Sequence, residues 1–174
     1  AFAPDGQTLV TGEAWLSTSL WSGRLRLWRV DTGQFLQTLG DDKHGVESVT
    51  FMRDGSAVAA GFATGAVEIR RISDGATVRT QTSDARRTVS VTFSPNGEHL
   101  AAGSADGSLW LWRADDGALL QTLTDYTQAI HSVAFAPDGL LAWGEASVDL
   151  KQRNGAVQLW RVPAGAAVRK LEDP

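Results

Sequence analysis

The sequence contains no cysteine, which excludes disulfide staples, thiolate metal sites and cysteine nucleophiles. It has no basic excess either: 16 Lys and Arg face 20 Asp and Glu, for a net charge of −4. A dedicated nucleic-acid binder carries a basic excess or stripe, so no nucleic-acid partner is expected. No apolar run approaches the roughly 20 residues that cross a bilayer, and no membrane partner is expected. A charged-then-apolar stretch of the secretory kind is also missing, and the expectation is a cytoplasmic protein. What is abundant is glycine, at 18 residues, and tryptophan, at 7. That pairing suggests many tight turns with large anchoring side chains placed at intervals.

The hexapeptide "AFAPDG" opens the sequence at Ala1 and returns at Ala134–Gly139. Its phenylalanine belongs to a column, Phe2, Phe51, Phe93 and Phe135, spaced by 49, 42 and 42 residues. Each is followed by a turn sequence: "PDG" at Pro4–Gly6, "RDG" at Arg53–Gly55, "PNG" at Pro95–Gly97 and "PDG" at Pro137–Gly139. Asp-Gly and Asn-Gly between apolar runs are hairpin signals, because these residues tolerate positive φ. A second short strand then ends at Gly12, Gly61, Gly103 and Gly144, and a third reads "RLRLWRV", "AVEIRRI", "SLWLWRA" and "AVQLWRV". Another glycine turn (Gly33, Gly75, Gly117, Gly165) leads to a fourth strand, "QFLQTL", "ATVRTQ", "ALLQTL" and "AAVRKL".

The unit is therefore about 42 residues of four short strands. Within the third strand, Leu25/Val67/Leu109/Val157 and Leu27/Ile69/Leu111/Leu159 are aliphatic columns, while the opposite parity carries Trp28, Trp112 and Trp160. A sheet apolar on both faces must be covered on both, so the units are expected to stack face to face. Radial stacking of four-stranded sheets gives an all-β propeller; a β-sandwich would not demand so strict a register.

The run "VTFSPNGEHLAAGSADGSLWLWRADDGALLQTL" at Val91–Leu123 resembles a blade of the WD-repeat propeller family, with weaker copies on either side. The resemblance spans essentially the whole sequence and implies four blades, at about 1–40, 46–82, 88–124 and 130–171. It implies a non-catalytic scaffold for protein–protein interaction, or a sensing module, within a larger multidomain protein. The pattern departs from the family's in places. The Trp-Asp dipeptide is Trp-Arg in three copies and Arg70-Arg71 in the fourth; Asp42, Asp84 and Tyr126 stand where Gly-His is usual. Of the aspartates between strands two and three only Asp106 remains, against Ser22, Thr64 and Asn154. The polar network that knits such blades is thus expected to be incomplete, with apolar packing carrying more of the stability.

Four blades make an awkward ring, and an open arc exposes apolar flanks. The expectation is a part of a larger ring completed by further blades of the same chain, with a second copy forming an eight-bladed ring as the alternative. Between the strand-two glycine and the Trp column, blades one and four are longer than blades two and three, and both long versions open "GEA", at Gly12–Ala14 and Gly144–Ala146. A long, short, short, long order reads as a three-blade block beginning to repeat.

Two features are candidate partner-binding sites. The first extension, "WLSTSLWSG" at Trp15–Gly23, places Trp15, Leu16, Leu20 and Trp21 in a rim connection, the makeup of an interaction hot spot unless these residues fold down as packing. The corresponding loop of blade four, "SVDLKQRNG" at Ser147–Gly155, is polar. Arg29, Arg71, Arg113 and Arg161 hold one position in every blade and would gather carboxylates or phosphates, unless they pair with turn acids such as Asp31, Asp74 and Asp115. Catalysis finds little support. His44, His99 and His131 sit at different repeat phases, so no metal spacing repeats, and neither a nucleophile elbow nor a phosphate loop occurs. No catalytic residue, metal or cofactor is expected. The rival readings are a small-ligand or catalytic propeller with a channel site, and a purely structural module for oligomer formation.

Overall fold

The computed structural model describes residues 1–17, 20–40, 44–81, 87–124, 128–146, 155–162 and 166–172, apart from the side chains of 16, 17, 20, 21, 146, 166–168 and 172. Every described element is a strand. The first blade comprises β1 (Thr8–Gly12), the hairpin β2 (Trp15–Ser17) and β3 (Leu20–Ser22), then β4 (Leu25–Arg29) and β5 (Phe35–Thr38). The second holds β6 (Val46–Phe51), β7 (Ala57–Phe62), β8 (Val67–Arg71) and β9 (Thr77–Gln81). The third holds β10 (Thr88–Phe93), β11 (His99–Ser104), β12 (Leu109–Arg113) and β13 (Leu119–Leu123). The fourth holds β14 (Ala129–Phe135), β15 (Leu140–Ala146), β16 (Gly155–Arg161) and β17 (Ala166–Glu172). All pair antiparallel in sequence order, giving the meander that the repeat predicts. In the first blade the innermost position is held by the isolated antiparallel bridge Phe2–Leu9.

The turns form for local reasons. In the turn after the Phe column the glycine is left-handed in all four blades, with φ of 69°, 73°, 77° and 83° at Gly6, Gly55, Gly97 and Gly139. One residue earlier a carboxylate or amide oxygen accepts the N–H two positions on: Asp5 from Gln7 and Asp54 from Ser56, both 2.9 Å, and Asn96 from Glu98 and Asp138 from Leu140, both 3.2 Å. These Asx turns fix hairpin length and hence strand register. Two bulges recur as well. One separates Val46 from Ser48, Thr88 from Ser90 and Ile130 from Ser132; the other separates Leu27 from Trp28 and its equivalents in every blade. A bulge bends its strand and adds twist, which the blades share position for position.

The core lies between blades, not within them. Val10, Leu25, Leu27 and Leu39 of blade one pack with Val46, Val58, Ala60 and Phe62 of blade two. Ala59, Val67 and Ile69 then meet Val91, Leu100, Trp110 and Trp112, and Ala101, Leu109 and Leu111 meet Ile130, Val133, Leu141 and Trp143. The strand-two glycine is where the next blade approaches closest. A Cβ on Gly12 would overlap Val46, one on Gly61 would overlap Thr88, and one on Gly103 would overlap Ile130.

Polar links cross the same seams. Ser48 Oγ accepts the Val91 N–H and Ser90 Oγ the Val133 N–H, each at 3.1 Å. The buried Thr88 hydroxyl donates to the Gly65 carbonyl at 2.8 Å. From the outermost strands, Gln37 donates to the Ile72 carbonyl, Arg79 to those of Ala114 (3.3 Å) and Asp115 (3.0 Å), and Gln81 to that of Gly117 (3.2 Å). Glu47 and Arg87 add a bidentate pair at 2.8 and 2.9 Å.

Close packing at the glycine column makes a stability test. Gly103→Ala forces a methyl into Ile130 and is expected to cost about 1–3 kcal/mol by overpacking. Gly144→Ala, at the same repeat position but with nothing within 4 Å, is expected to be neutral or to gain up to about 0.5–1 kcal/mol from reduced chain entropy. Urea unfolding of the two variants separates these outcomes.

Candidate functional site

Blade one carries a hairpin that blades two and three lack. Between β1 and β4 the β2–β3 hairpin stands on the rim, paired Trp15 to Ser22, Leu16 to Trp21 and Ser17 to Leu20. Its base is clamped on both sides. The Glu13 N–H donates to the Arg24 carbonyl at 2.9 Å, and the Glu13 carbonyl accepts the Val46 N–H of blade two at 3.0 Å. Gly23 is wedged so tightly between Glu13 and the backbone of His44 and Val46 that no larger residue fits without displacing main chain. Glu13 also pairs with Arg26 at 3.0 Å, both side chains about one-third exposed.

Trp15 is 36% exposed, and the Arg24 guanidinium lies 5.3 Å from its ring centroid. A cation over indole is worth about 0.5–1 kcal/mol at an exposed site and holds the ring in one orientation. Trp15 is thus partly exposed on β2 and stacked under an arginine of its own chain. Arg24 was not legible as its partner from composition; the Trp15–Ser22 pairing is what brings it alongside. The side chains of Leu16, Leu20 and Trp21 lie outside the described residues.

The arginine column divides in two. Arg71 pairs with Asp74 at 2.7 Å and Arg113 with Asp116 at 2.6 Å, each three residues ahead in the turn. The second partner corrects the expectation of Asp115, whose carboxylate instead accepts the Asp116 N–H. Arg29 and Arg161 are exposed and make no ion pair among the described residues, and Asp31 does not pair with Arg29. The reason is sequence position: Thr32 and Ala164 stand where Asp74 and Asp116 stand in the middle blades. The column therefore does not act as one ring of equivalent charges. Two members are neutralised locally, and two make no ion pair among the described residues.

In the second blade Arg70 replaces tryptophan and is 95% buried at the seam with blade one. Its Nε and Nη2 donate to Glu68 Oε2 at 2.8 and 2.6 Å, and Nη1 donates to the Leu39 carbonyl at 2.5 Å. The guanidinium also lies 5.7 Å from the Phe62 ring centroid, with His44 edge-on to the same ring. A cavity of about 300 Å³ opens beside it, lined by Gly40, His44, Phe62, Glu68, Arg70 and Thr77. Since Glu68 and a carbonyl engage each of its three nitrogens, Arg70 serves as a structural peg in place of an indole. Among the described residues no group of three His, Cys, Asp or Glu could hold a metal ion, and no helix is long and apolar enough to cross a membrane.

Two measurements follow from these ion pairs. The Asp74 and Asp116 carboxyls are held below the usual aspartate range, first by the backbone N–H of Ala76 and Ala118 and then by their arginines. Because folding depresses these values, the stabilisation is present above the ordinary aspartate value of about 3.9 and disappears as pH falls through the folded-state values. Carboxyl NMR titration should show both groups below the ordinary aspartate value of about 3.9, with Arg71→Ala raising Asp74 only part of the way. Separately, Arg70→Ala strands Glu68 and is expected to cost about 3 kcal/mol in urea unfolding. The double variant Glu68→Gln/Arg70→Met should lose less than Arg70→Ala alone.

Residues 75–113 match the family model of the WD domain, G-beta repeat. The match begins at the turn before β9 and ends with β12, so the repeat in sequence spans the outer strand of one blade and three strands of the next. A search of curated proteins finds no match. Repeats of this kind generally serve as protein-interaction scaffolds. The matched segment is a WD repeat, one of four similar antiparallel units that make the all-β, propeller-like array of blades.

Proposed function

We propose that the chain is a non-catalytic interaction scaffold whose protein partner docks across the β2–β3 hairpin of blade one. The observation that carries this reading is the clamp at the hairpin's base. Hydrogen bonds from Glu13 to Arg24 and Val46, with Gly23 wedged between, tie the projection to two blades at once. A loop held that way presents its side chains without a large ordering cost on binding. Trp15 and Arg24 at its foot are residue types over-represented among the anchors that dominate interface energy. The strands supply the rigid frame and the connection supplies specificity, the usual division of labour between scaffold and loop. Within a multidomain protein such a module would serve as a docking or sensing platform.

Trp15→Ala tests the reading. Proteins retained by the wild-type chain in affinity capture should be lost by this variant, while its melting temperature stays within about 2–4 °C, equivalent to about 1 kcal/mol for a chain of this size. Retention that survives the substitution would remove the hairpin from the interface. A collapse in melting temperature would mean that Trp15 is packing.

A further inference from the structure

The turn joining the third and fourth strands keeps one backbone in blades one to three and changes one side chain. The Arg29 N–H donates to the Gln34 carbonyl at 2.8 Å, that of Arg71 to Ala76 at 2.9 Å and that of Arg113 to Ala118 at 2.8 Å. Each turn carries a left-handed glycine, with φ of 65°, 70° and 72° at Gly33, Gly75 and Gly117. The residue before that glycine is Thr32, Asp74 or Asp116, and its side-chain oxygen accepts the N–H two positions on. The distances are 3.3 Å from Gln34, 3.0 Å from Ala76 and 2.8 Å from Ala118. Asp74 and Asp116 each use a second oxygen to take the guanidinium three residues back. Thr32 has no second oxygen, and Arg29 makes no ion pair among the described residues. Blade one thus has the cation and the turn in place and lacks the anion.

We infer that Thr32 is a phosphorylation site whose phosphoryl group is held by Arg29, giving blade one the ion pair that aspartate gives blades two and three. A phosphothreonine carries a charge of about −1.5 to −2 and three acceptor oxygens. It can therefore hold the Gln34 N–H and the guanidinium together, as Asp74 does with its two oxygens. Transfer makes a bond from Thr32 Oγ1 to the terminal phosphorus of a nucleoside triphosphate and breaks the bond to the departing diphosphate. A serine/threonine kinase supplies the base that takes the hydroxyl proton. Thr32 and Arg29 are both exposed. The exposure belongs to the turn and not to the flank of blade one: with a blade packed before each, Asp74 and Asp116 are still 50% and 51% exposed. The adjacent Asp31 does not forbid the pair, since Asp115 stands beside Asp116 and Arg113 still reaches its partner.

Other described hydroxyls follow an arginine by three positions, at Ser56, Ser73 and Ser90, and none offers the same setting. Ser56 donates to Asp54 at 2.7 Å, so a phosphate there would meet a carboxylate. Arg70, which precedes Ser73, is buried and already engaged; the Ser90 hydroxyl accepts the Val133 N–H at 3.1 Å inside a seam. Blade four has Ala164 at the turn position and no hydroxyl to modify. The turn lies at the opposite end of blade one from the β2–β3 hairpin, so the site stands apart from the docking surface proposed above.

The test incubates the 174-residue chain with ATP and a serine/threonine kinase that selects arginine three residues before its acceptor. Fragment mass spectrometry should place the phosphate on Thr32 in preference to Ser56, Ser73 and Ser90, and Thr32→Val should lose it. Phosphothreonine incorporated at position 32 during translation then allows the phosphate to be titrated by phosphorus NMR with and without Arg29. The guanidinium favours the dianion, so the second ionisation should lie below that of the Arg29→Ala form by about 0.2–0.7 pH unit. Preference of the kinase for another hydroxyl, a Thr32 left unmodified, or a phosphate that titrates alike with and without Arg29 would each overturn the assignment.

Discussion

Each blade of this protein is a sheet that is apolar on both faces, and everything else follows from the need to cover them. A single unit has no interior. Its aliphatic third-strand residues on one side and its Trp or Arg column on the other become buried only when a neighbour arrives, which is why the clusters all straddle seams. Burying one such leucine or valine contributes about 1.5–3 kcal/mol, so the stability of the arc is a sum of interface contributions more than of intrinsic blade stabilities. The glycine column is the geometric condition for that burial. Without a Cβ at Gly12, Gly61 and Gly103, the next strand closes to van der Waals distance.

The polar residues at the seams refine this packing. The links use hydroxyls, amides and two guanidinium groups to satisfy backbone groups that the close approach would otherwise desolvate, a cost of about 1–3 kcal/mol for each group left unpaired. Among the described residues no buried side-chain nitrogen or oxygen lacks a partner. Arg70 shows the same rule under strain. A charge inserted where its neighbours use indole is tolerated because Glu68 on its own strand, the Leu39 carbonyl of blade one and the Phe62 ring all meet it. Asp42, Asp84, Tyr126 and Asn154, on which the expectation of incomplete polar knitting largely rests, lie outside the described residues.

Much of the fold was legible because period, turn chemistry and two-faced apolarity all point to one architecture. The Phe column, the Asp-Gly turns and the third-strand columns each fall where the repeat puts them. What sequence could not supply is pairing across space. Arg113 chooses Asp116 over Asp115 because only the residue three ahead has its carboxylate both under the guanidinium and on the Ala118 N–H. The strand-two glycines read simply as strand ends, whereas their role depends on a side chain some 30 residues later. Arg70 looked like a lapse in the Trp column, and only the Glu68 two positions earlier on the same face hinted at a buried pair. At the rim, the hairpin was readable as an extension, but its anchorage on blade two was not.

The serine-to-valine hydrogen bonds, the glycine notches and the outer-strand donors all point the same way along the chain. Such a seam is head-to-tail, with different surfaces on its two sides, and so is incompatible with two-fold self-pairing. Two copies brought together about a dyad at this face would set hollow against hollow and acceptor against acceptor. Assembly through it has a direction, and each added blade must arrive in the same sense as the last.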